Sequence, residues 1–374
     1  MSTLTVSIDR TLAFPNSLPL IDTVLFTNAD PAMATLTLSA MEFDNVHFRS
    51  DLQVTGSSGT NVIAITNATT LSLASWTFAS WTGLDAVLLT GTAGQNHLTG
   101  SVEADKIFGL DRQDSLGGGD GNDSLFGGSG GDSLSGDNGS DFLYGGDGAD
   151  RMFGGADNDY LNGDSGGDIL HGGEGDDTLY DPSGDTLSDA LYGGAGEDGL
   201  YGGGGTDRLY GGGGNDALYT TGPFGALLDG GDGDDFLFGG QGGDTLRGGA
   251  GNDLIFTGSS PVNGARIIGG GGADSVYGGT AADVFVYAKA GDSGLGALHD
   301  IIGGFVSGQD RLDLSAIAAA QHFIGAALFG HSAGAVRFDG PTHLLQGDVN
   351  GDGVADYEIL LDQLTALDAS DLIL

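Results

Sequence analysis

The chain has 374 residues, with 52 Asp and Glu against 11 Lys and Arg, 74 Gly, no Cys and a formal charge of −41. That balance opposes nucleic-acid binding, which needs clustered cations against phosphates, and the missing cysteines exclude disulfides, thiolate metal sites and cysteine nucleophiles. Glycine lacks the every-third placement of collagen, no run reaches the roughly 20 apolar residues of a transmembrane segment, and 39% apolar content argues against a disordered acidic tail.

Residues 1–90 carry short alternating segments: LTVSI, TLTLSAMEF, LQVTG, NVIAITN, TLSLASWTF and DAVLLTG. β-Branched and aromatic residues between Asn, Gly and Ser predict strands and turns. We read an irregular N-terminal β-solenoid that leads into the next region and caps its open edge. Trp76, Phe78 and Trp81 are read as packing residues, with a sugar platform as the alternative. Asp44, His47 and Asp51 are the nearest approach to a catalytic cluster and are read as surface residues. The first residues show neither the basic n-region nor the apolar h-region of a cleaved secretory signal.

From Gly118 the sequence runs GGDGNDSLF, GGSGGDSLS, GDNGSDFLY, GGDGADRMF, GGADNDYLN, GDSGGDILH, GGEGDDTLY. The period is nine, Gly-Gly-x-Gly-x-Asp-x-apolar-x. Degenerate copies begin at Gly91, Gly100 and Gly109, and further copies follow to Gly278, roughly nineteen in all. Glycines let six residues turn through positive φ, and x-apolar-x then predicts a three-residue strand whose middle side chain points inward. Leu125, Leu134, Leu143, Met152, Leu161 and Leu170 hold that inward place. Two copies make one coil, so residues eighteen apart stack about 4.8 Å apart in an all-β, right-handed parallel β-helix or β-roll.

Each edge of such a roll stacks Asp carboxylates and turn carbonyls, an oxygen-only environment that suits Ca²⁺ better than Mg²⁺. One predicted row carries Asp123, Asp141, Asp159, Asp177, Asp198, Asp216, Asp235, Asp253 and Asp274; the other carries Asp114, Asp132, Asp150, Asp168, Asp207, Asp244 and Asp283. Turn glycines Gly118, Gly127, Gly145, Gly172, Gly193, Gly211, Gly230, Gly248 and Gly269 complete the expected metal sites. The first row is expected to be unbroken. The second is interrupted by DPS (181–183), TTGPFGALLD (220–229) and TGSSPVNGARII (257–268), with fewer ions expected there. The nonapeptide string resembles the hemolysin-type RTX calcium-binding repeat. Position nine of the first row reads Phe126, Tyr144, Asn162, Tyr180, Tyr201, Tyr219, Phe238, Phe256, Tyr277, an aromatic ladder that admits a stabilising reading and a sticky-face reading.

Residues 278–374 change character, through DVFVYAKAGDS, HDIIGGFVSGQDRLDLSAI, GHSAGAVRFDG and LLQGDVNGDGVADYEILLDQL to LDASDLIL. This segment resembles the C-terminal domain of the serralysin family of type I-secreted metalloproteases. The resemblance implies that Asp371-Leu372-Ile373-Leu374, an acidic residue before three apolar ones, is an uncleaved export signal read by a type I exporter. It does not extend to the protease, because no His-Glu-x-x-His occurs. Asp348-x-Asn350-x-Asp352-Gly353-x-x-Asp356 starts like an EF-hand loop but places Ile359 where the bidentate Glu belongs, leaving a polar hairpin or an extra calcium site as alternatives. Gly163-Asp-Ser165-Gly-Gly167 and Gly330-His-Ser332-Ala-Gly334 imitate nucleophile motifs; the first lies in phase with the repeat and the second in the β-rich tail, so neither is read as catalytic.

The expected organisation is an N-terminal solenoid over 1–90, a calcium β-roll over 91–286 and an export domain over 287–374. The expected protein is secreted, folds on Ca²⁺ outside the cell and is not an enzyme. It serves as a surface or matrix structural or adhesion protein that self-associates. The alternatives are a calcium-dependent module for a polysaccharide or host surface, and an enzyme with an unrecognised N-terminal site.

Overall fold

The computed structural model describes residues 3–6, 10–11, 21–26, 34–39, 48–55, 61–66, 70–73, 77–79, 86–181, 186–258, 263–318 and 321–374. Contacts divide the chain into two units, Met1–Tyr180 and Asp181–Leu374. Both are built from parallel strands, and the fold is a parallel β-solenoid.

In the first unit each nonapeptide contributes one strand, and alternate copies pair in register. Ser124–Ser129 lies on Phe142–Asp147 with Leu125 opposite Leu143 and Phe126 opposite Tyr144. Ser133–Asn138 lies on Arg151–Ala156 with Leu134 opposite Met152. Two sheets therefore form, each stacked at eighteen-residue intervals. Between them run two columns of buried side chains, Ile107, Leu125, Leu143, Leu161 and Leu179 against Leu98, Leu116, Leu134, Met152 and Leu170, none more than 2% exposed. Each of the six alternating N-terminal segments overlaps a strand. Ala34–Ser39, Asn61–Thr66 and Ala86–Thr90 pair in parallel and continue into Asp105–Asp111. Trp76, Trp81, Asp44 and His47 lie outside the described residues, as do the side chains of Phe78 and Asp51.

The strands are longer than the sequence predicts. Most span six residues, x-apolar-x-Gly-Gly-x, with the apolar residue and the first glycine both inward, as in Ser124–Ser129. That first glycine keeps an extended backbone and the second stays in the ladder, Gly128 opposite Gly146, so pairing continues through what the sequence alone suggests is turn. Three-residue strands occur in the second unit at Phe236–Phe238, Leu254–Phe256 and Ser275–Tyr277.

The second unit repeats the scheme. One ladder runs from Ala190–Ala195 through Arg208–Gly213, Leu227–Asp232, Thr245–Ala250 and Arg266–Gly271 to Val284–Val286 and Arg311–Asp313. The insertion at 220–229 leaves the register intact, with Leu209 still opposite Leu228, and pushes Phe224 outward to 44% exposure. Beyond Asp300–Gly303 the chain changes to an antiparallel meander of Ala335–Asp339, Leu344–Asp348 and Tyr357–Leu361. Leu372–Ile373 adds the last parallel rung, on Arg311–Asp313. No helix among the described residues is long and apolar enough to cross a membrane.

The aromatic ladder forms with two changes of personnel. Phe108, Phe126 and Tyr144 stack at 4.8 and 5.1 Å. At Asn162 the neighbouring strand position takes over, and Tyr160 packs on Tyr144 at 5.9 Å. In the second unit Tyr201 stacks on Tyr219 at 5.1 Å, and Phe236 rather than Phe238 links Tyr219 to Phe256. The other sheets carry their own stacks, Phe153 on His171 and Tyr192 on Tyr210. A double-mutant cycle of Tyr201→Ser and Tyr219→Ser, read by urea unfolding in saturating calcium, is expected to give a coupling of about 0.5–1.5 kcal/mol. A coupling indistinguishable from zero would show that the stack contributes area alone.

Candidate metal centre

Position six of the repeat places its Asp at the end of the turn, just before the strand, with the side chain folded inward. In the first unit the carboxylates make two ladders. The backbone N–H of Asp105 donates to Asp123 Oδ1 at 2.7 Å, Asp123 to Asp141 at 2.7 Å, Asp141 to Asp159 at 2.8 Å and Asp159 to Asp177 at 2.8 Å. Along the other edge Asn96 donates to Asp114, Asp114 to Asp132, Asp132 to Asp150 and Asp150 to Asp168, at 2.6–2.7 Å. Each carboxylate thus caps the coil before its own, and none is more than 4% exposed.

One oxygen of each carboxylate is used this way. The second, Oδ2, is buried without a hydrogen-bond partner in Asp114, Asp123, Asp132, Asp141, Asp150 and Asp159, and in the second unit in Asp216, Asp235, Asp244, Asp253 and Asp274. Its surroundings are more oxygen. A Cβ added at Gly127 would collide with Asp132 Oδ2 and with the Gly145 carbonyl oxygen, and Gly118, Gly145, Gly193, Gly211, Gly230 and Gly248 repeat that pattern. At Gly269 the collision is with Asp274 Oδ2, and Gly172 is buried at the equivalent place. The first glycine of the repeat is therefore required for space. The second and fourth take positive φ, which favours glycine, as at Gly128 with φ 111° and Gly130 with φ 150°; Asp137 and Asp164 hold it at position two and Asp157 at position four.

A buried carboxylate oxygen facing carbonyls without a proton or cation is strongly disfavoured. Burial raises these groups despite the backbone N–H that each accepts, and for all but Asp244 adjacent carboxylates add to the effect. Asp123 is pushed up to about 8, Asp141 and Asp159 to about 7, and Asp132 and Asp150 to about 6. In the second unit Asp216, Asp244 and Asp253 rise to about 7 and Asp235 and Asp274 to about 6. An all-oxygen donor set with partnerless carboxylate oxygens fits calcium.

The second unit separates the two rows. Asp198, Asp216, Asp235, Asp253 and Asp274 form an uninterrupted chain of caps, extended at 3.0 Å to Asp300, which the repeat pattern does not reveal. Asp300 is fully buried and rises to about 8, through burial first. In the other row Asp207 caps Asp189. Asp244 and Asp283, however, cap the N–H groups of Ala226 and Ala265, where a carboxylate is lacking. Asp283 differs from the other predicted ligands, because its two oxygens accept from Ala265 N and Gly279 N, both at 2.8 Å. Asp105 was legible from its five-residue step after Gly100; Asp300, twenty-six residues after Asp274, had no such signal.

The 348–356 loop is a tight polar hairpin. Asp348 accepts from Gly351 N at 2.6 Å and Gly353 N at 2.9 Å, while Asp356 accepts from Val349 N and from Asn350. Asp371 is buried too, accepting from Ser307 Oγ at 2.6 Å and Gly308 N at 2.8 Å.

The family model of the RTX calcium-binding nonapeptide repeat, four copies long, matches residues 90–125, 109–143, 117–152, 126–161, 144–179, 183–218, 229–260 and 265–292. The chain carries RTX calcium-binding repeats. Its repeats bind Ca²⁺, in several copies. Among solved structures, the AlgE6R3 subunit from the Azotobacter vinelandii mannuronan C5-epimerase is similar at 26% identity, covering 44% of this chain and 80% of that one, with a TM-score of 0.25. No curated protein matches the chain. The matches do not show a serralysin C-terminal domain.

Every raised carboxyl in these RTX rows holds its proton more tightly folded than unfolded. In chelator, stability is therefore expected to be greatest below about pH 4, the ordinary carboxyl value of 3.8, and to fall as pH rises through the folded values of about 6 to 8. Urea unfolding at a series of pH values, followed by circular dichroism, checks this. Stability that rose between pH 5 and 8 in chelator would contradict the burial of these carboxyls.

Proposed function

We propose that this RTX chain is a secreted, non-enzymatic structural protein whose solenoid folds when calcium fills its carboxylate rows. The observation that carries the reading is the series of buried carboxylate oxygens that lack a partner and face turn carbonyls. Asp114, Asp123, Asp132, Asp141, Asp150, Asp159, Asp168, Asp177, Asp198, Asp207, Asp216, Asp235, Asp244, Asp253 and Asp274 would hold the ions, together with turn carbonyls such as those of Gly145, Gly211 and Gly230. When bound, calcium supplies the positive charge that lets neighbouring carboxylates stay ionised in a dry site. The chain's own part is to aim one oxygen at the next coil's N–H and the other at the ion.

The same chemistry supports secretion. Where calcium is scarce, a charge of −41 keeps the chain expanded, which suits passage through a type I exporter. Outside the cell, calcium at sites of about 10⁻⁴–10⁻³ M affinity stabilises the folded state by mass action. The terminal Asp371-Leu372-Ile373-Leu374, our candidate export signal, has its carboxylate buried and its next two residues paired as a strand, so the exporter would read it before folding. Exposed ring faces such as Phe142, 51% exposed, and Tyr277, 39% exposed, support self-association in a surface or matrix layer.

Adding a few millimolar calcium to the dilute, chelator-treated chain is expected to raise the β signal in circular dichroism and, by light scattering, to produce species heavier than one chain. An unchanged dichroism spectrum would sink calcium-coupled folding. A smaller radius at constant mass, with calcium-dependent retention on an anionic polysaccharide, would replace the structural role with that of a binding module. The rows also predict unequal variants. Asp141→Ala should lower the calcium count by at least one ion per chain, whereas Asp283→Ala, whose oxygens already have N–H donors, should leave the count unchanged and cost stability instead. Equal ion loss in both would refute the distinction.

A further inference from the structure

The second row of the first unit begins with an amide. The copy Gly91–Thr99, GTAGQNHLT, has Asn96 at position six, where the next copies along that edge have Asp114, Asp132 and Asp150. Asn96 is 4% exposed. Its backbone N–H caps Asp114 Oδ1 like any member of the row. Its side chain does something the acids cannot do.

Asn96 Nδ2 donates towards four oxygens: Thr92 O at 3.0 Å, Gly94 O at 2.6 Å, Gly109 O at 3.1 Å and Asp114 Oδ1 at 2.7 Å. These are carbonyls of positions two and four of its own copy, the carbonyl of position one of the copy one coil on, and that copy's carboxylate. The amide orientation is fixed by its other end, because Oδ1 accepts from Thr92 N at 2.9 Å and Thr92 Oγ1 at 3.0 Å. A flip would set an oxygen among four oxygens and a nitrogen against donors.

Nδ2 also occupies the place of the acids' partnerless oxygen. It is among the atoms that a Cβ at Gly91 would strike, just as Asp114 Oδ2 is for Gly109 and Asp132 Oδ2 is for Gly127. In those copies Oδ2 is buried with no donor to meet it. The first row of the same unit begins with Asp105, whose Oδ2, the atom a Cβ at Gly100 would strike, already accepts from Ser101 N at 2.6 Å and Ser101 Oγ at 3.0 Å, while its Oδ1 has no partner.

We propose that Asn96 closes the first position of the second row without a metal, its amide N–H groups supplying the positive partner that calcium supplies to the acidic copies. The inference rests on the calcium reading above and deepens it. A neutral side chain sets two N–H groups among the four oxygens, adds a second donor to the one that Asp114 Oδ1 takes from Asn96 N, and lets the coil over Gly91–Thr99 form before any ion arrives. Asp114, one coil on, is then the ordered carboxylate offered to the first ion of the row.

The test is a calcium count by atomic emission on the full chain after gel filtration in calcium, alongside circular dichroism. Asn96→Asp restores the acid and is expected to gain one bound ion per chain. A folded variant with the wild-type count would overturn the proposal. If Asn96→Asp does not fold, Asn96→Ala decides: a count that holds or rises supports the amide as a stand-in, and the loss of one ion would make Asn96 a calcium ligand and overturn it. A wild-type chain that takes up no calcium would refute the calcium reading itself, an outcome distinct from equal counts in wild type and Asn96→Asp.

Discussion

The structure depends on an Asp carboxylate that is asked to do two things at once. One oxygen must cap the backbone N–H of the preceding coil, at 2.7 Å between Asp105 and Asp123, so the group has to be buried at the edge of the solenoid. The other oxygen is then buried beside carbonyls, with Asp123 at 0% exposure and Oδ2 without a donor. Without a cation, the first demand is met only by a proton or at the expense of a desolvated charge. Most of the repeat follows from that conflict. Position one is glycine because a Cβ would collide with the carboxylate, and positions two and four favour glycine because the turn that brings carbonyls to the same place needs positive φ.

The core alone is thin. Each nonapeptide buries one large apolar side chain, Leu125, Leu134 or Leu143 in turn, while six or more of its residues are turn, glycine or surface. Ordering a residue costs about 1–2 kcal/mol of backbone entropy, and one buried Leu returns about 1.5–3 kcal/mol, so a nine-residue coil half is not stabilised by its apolar column. The remainder comes from in-register pairing, from stacked rings such as Phe126 on Tyr144, and from the ions. A repeat stabilised mainly by its neighbours behaves as a one-dimensional array, and under the proposed function the calcium level controls whether that array is folded.

The sequence made the period, the inward Leu column, both Asp rows and the family legible, because each is a phase relation that survives substitutions at the x positions. Strand length was not legible: Gly-Gly reads locally as turn, and only cross-coil pairing, Gly128 opposite Gly146, keeps it in the ladder. Spacing separates an unbroken row of acids from an interrupted one but treats the members of each row alike, and they are unequal. Asp283 is satisfied by Gly279 N, a contact made by a neighbouring turn rather than by spacing. Asp300 joins its row across twenty-six residues that hold the two 3₁₀ turns Ala290–Asp292 and Gly296–Leu298. Asn96 looked like a degenerate letter in a weak copy, and its meaning lies in the four oxygens around its amide.

The unequal members sit where a row must stop, and that has a physical reason. An ion held by these rows would draw oxygens from neighbouring coils, so the carboxylate of a terminal coil would have an ion on one side at most. Such a position stays buried only if hydrogen-bond donors replace the missing charge. In the first unit the Asn96 amide does this for the second row. In the second unit Asp283 and Asp310 do it by accepting backbone N–H groups on both oxygens, Asp310 from Asp283 N at 2.9 Å and Val306 N at 2.7 Å. The other row of that unit ends with Asp300 N donating to Ser293 Oγ at 2.9 Å, a neutral hydroxyl in the place where every earlier rung offers a carboxylate. A row of ions can therefore be terminated inside the fold by changing one acceptor, with the strand register and the apolar column unchanged.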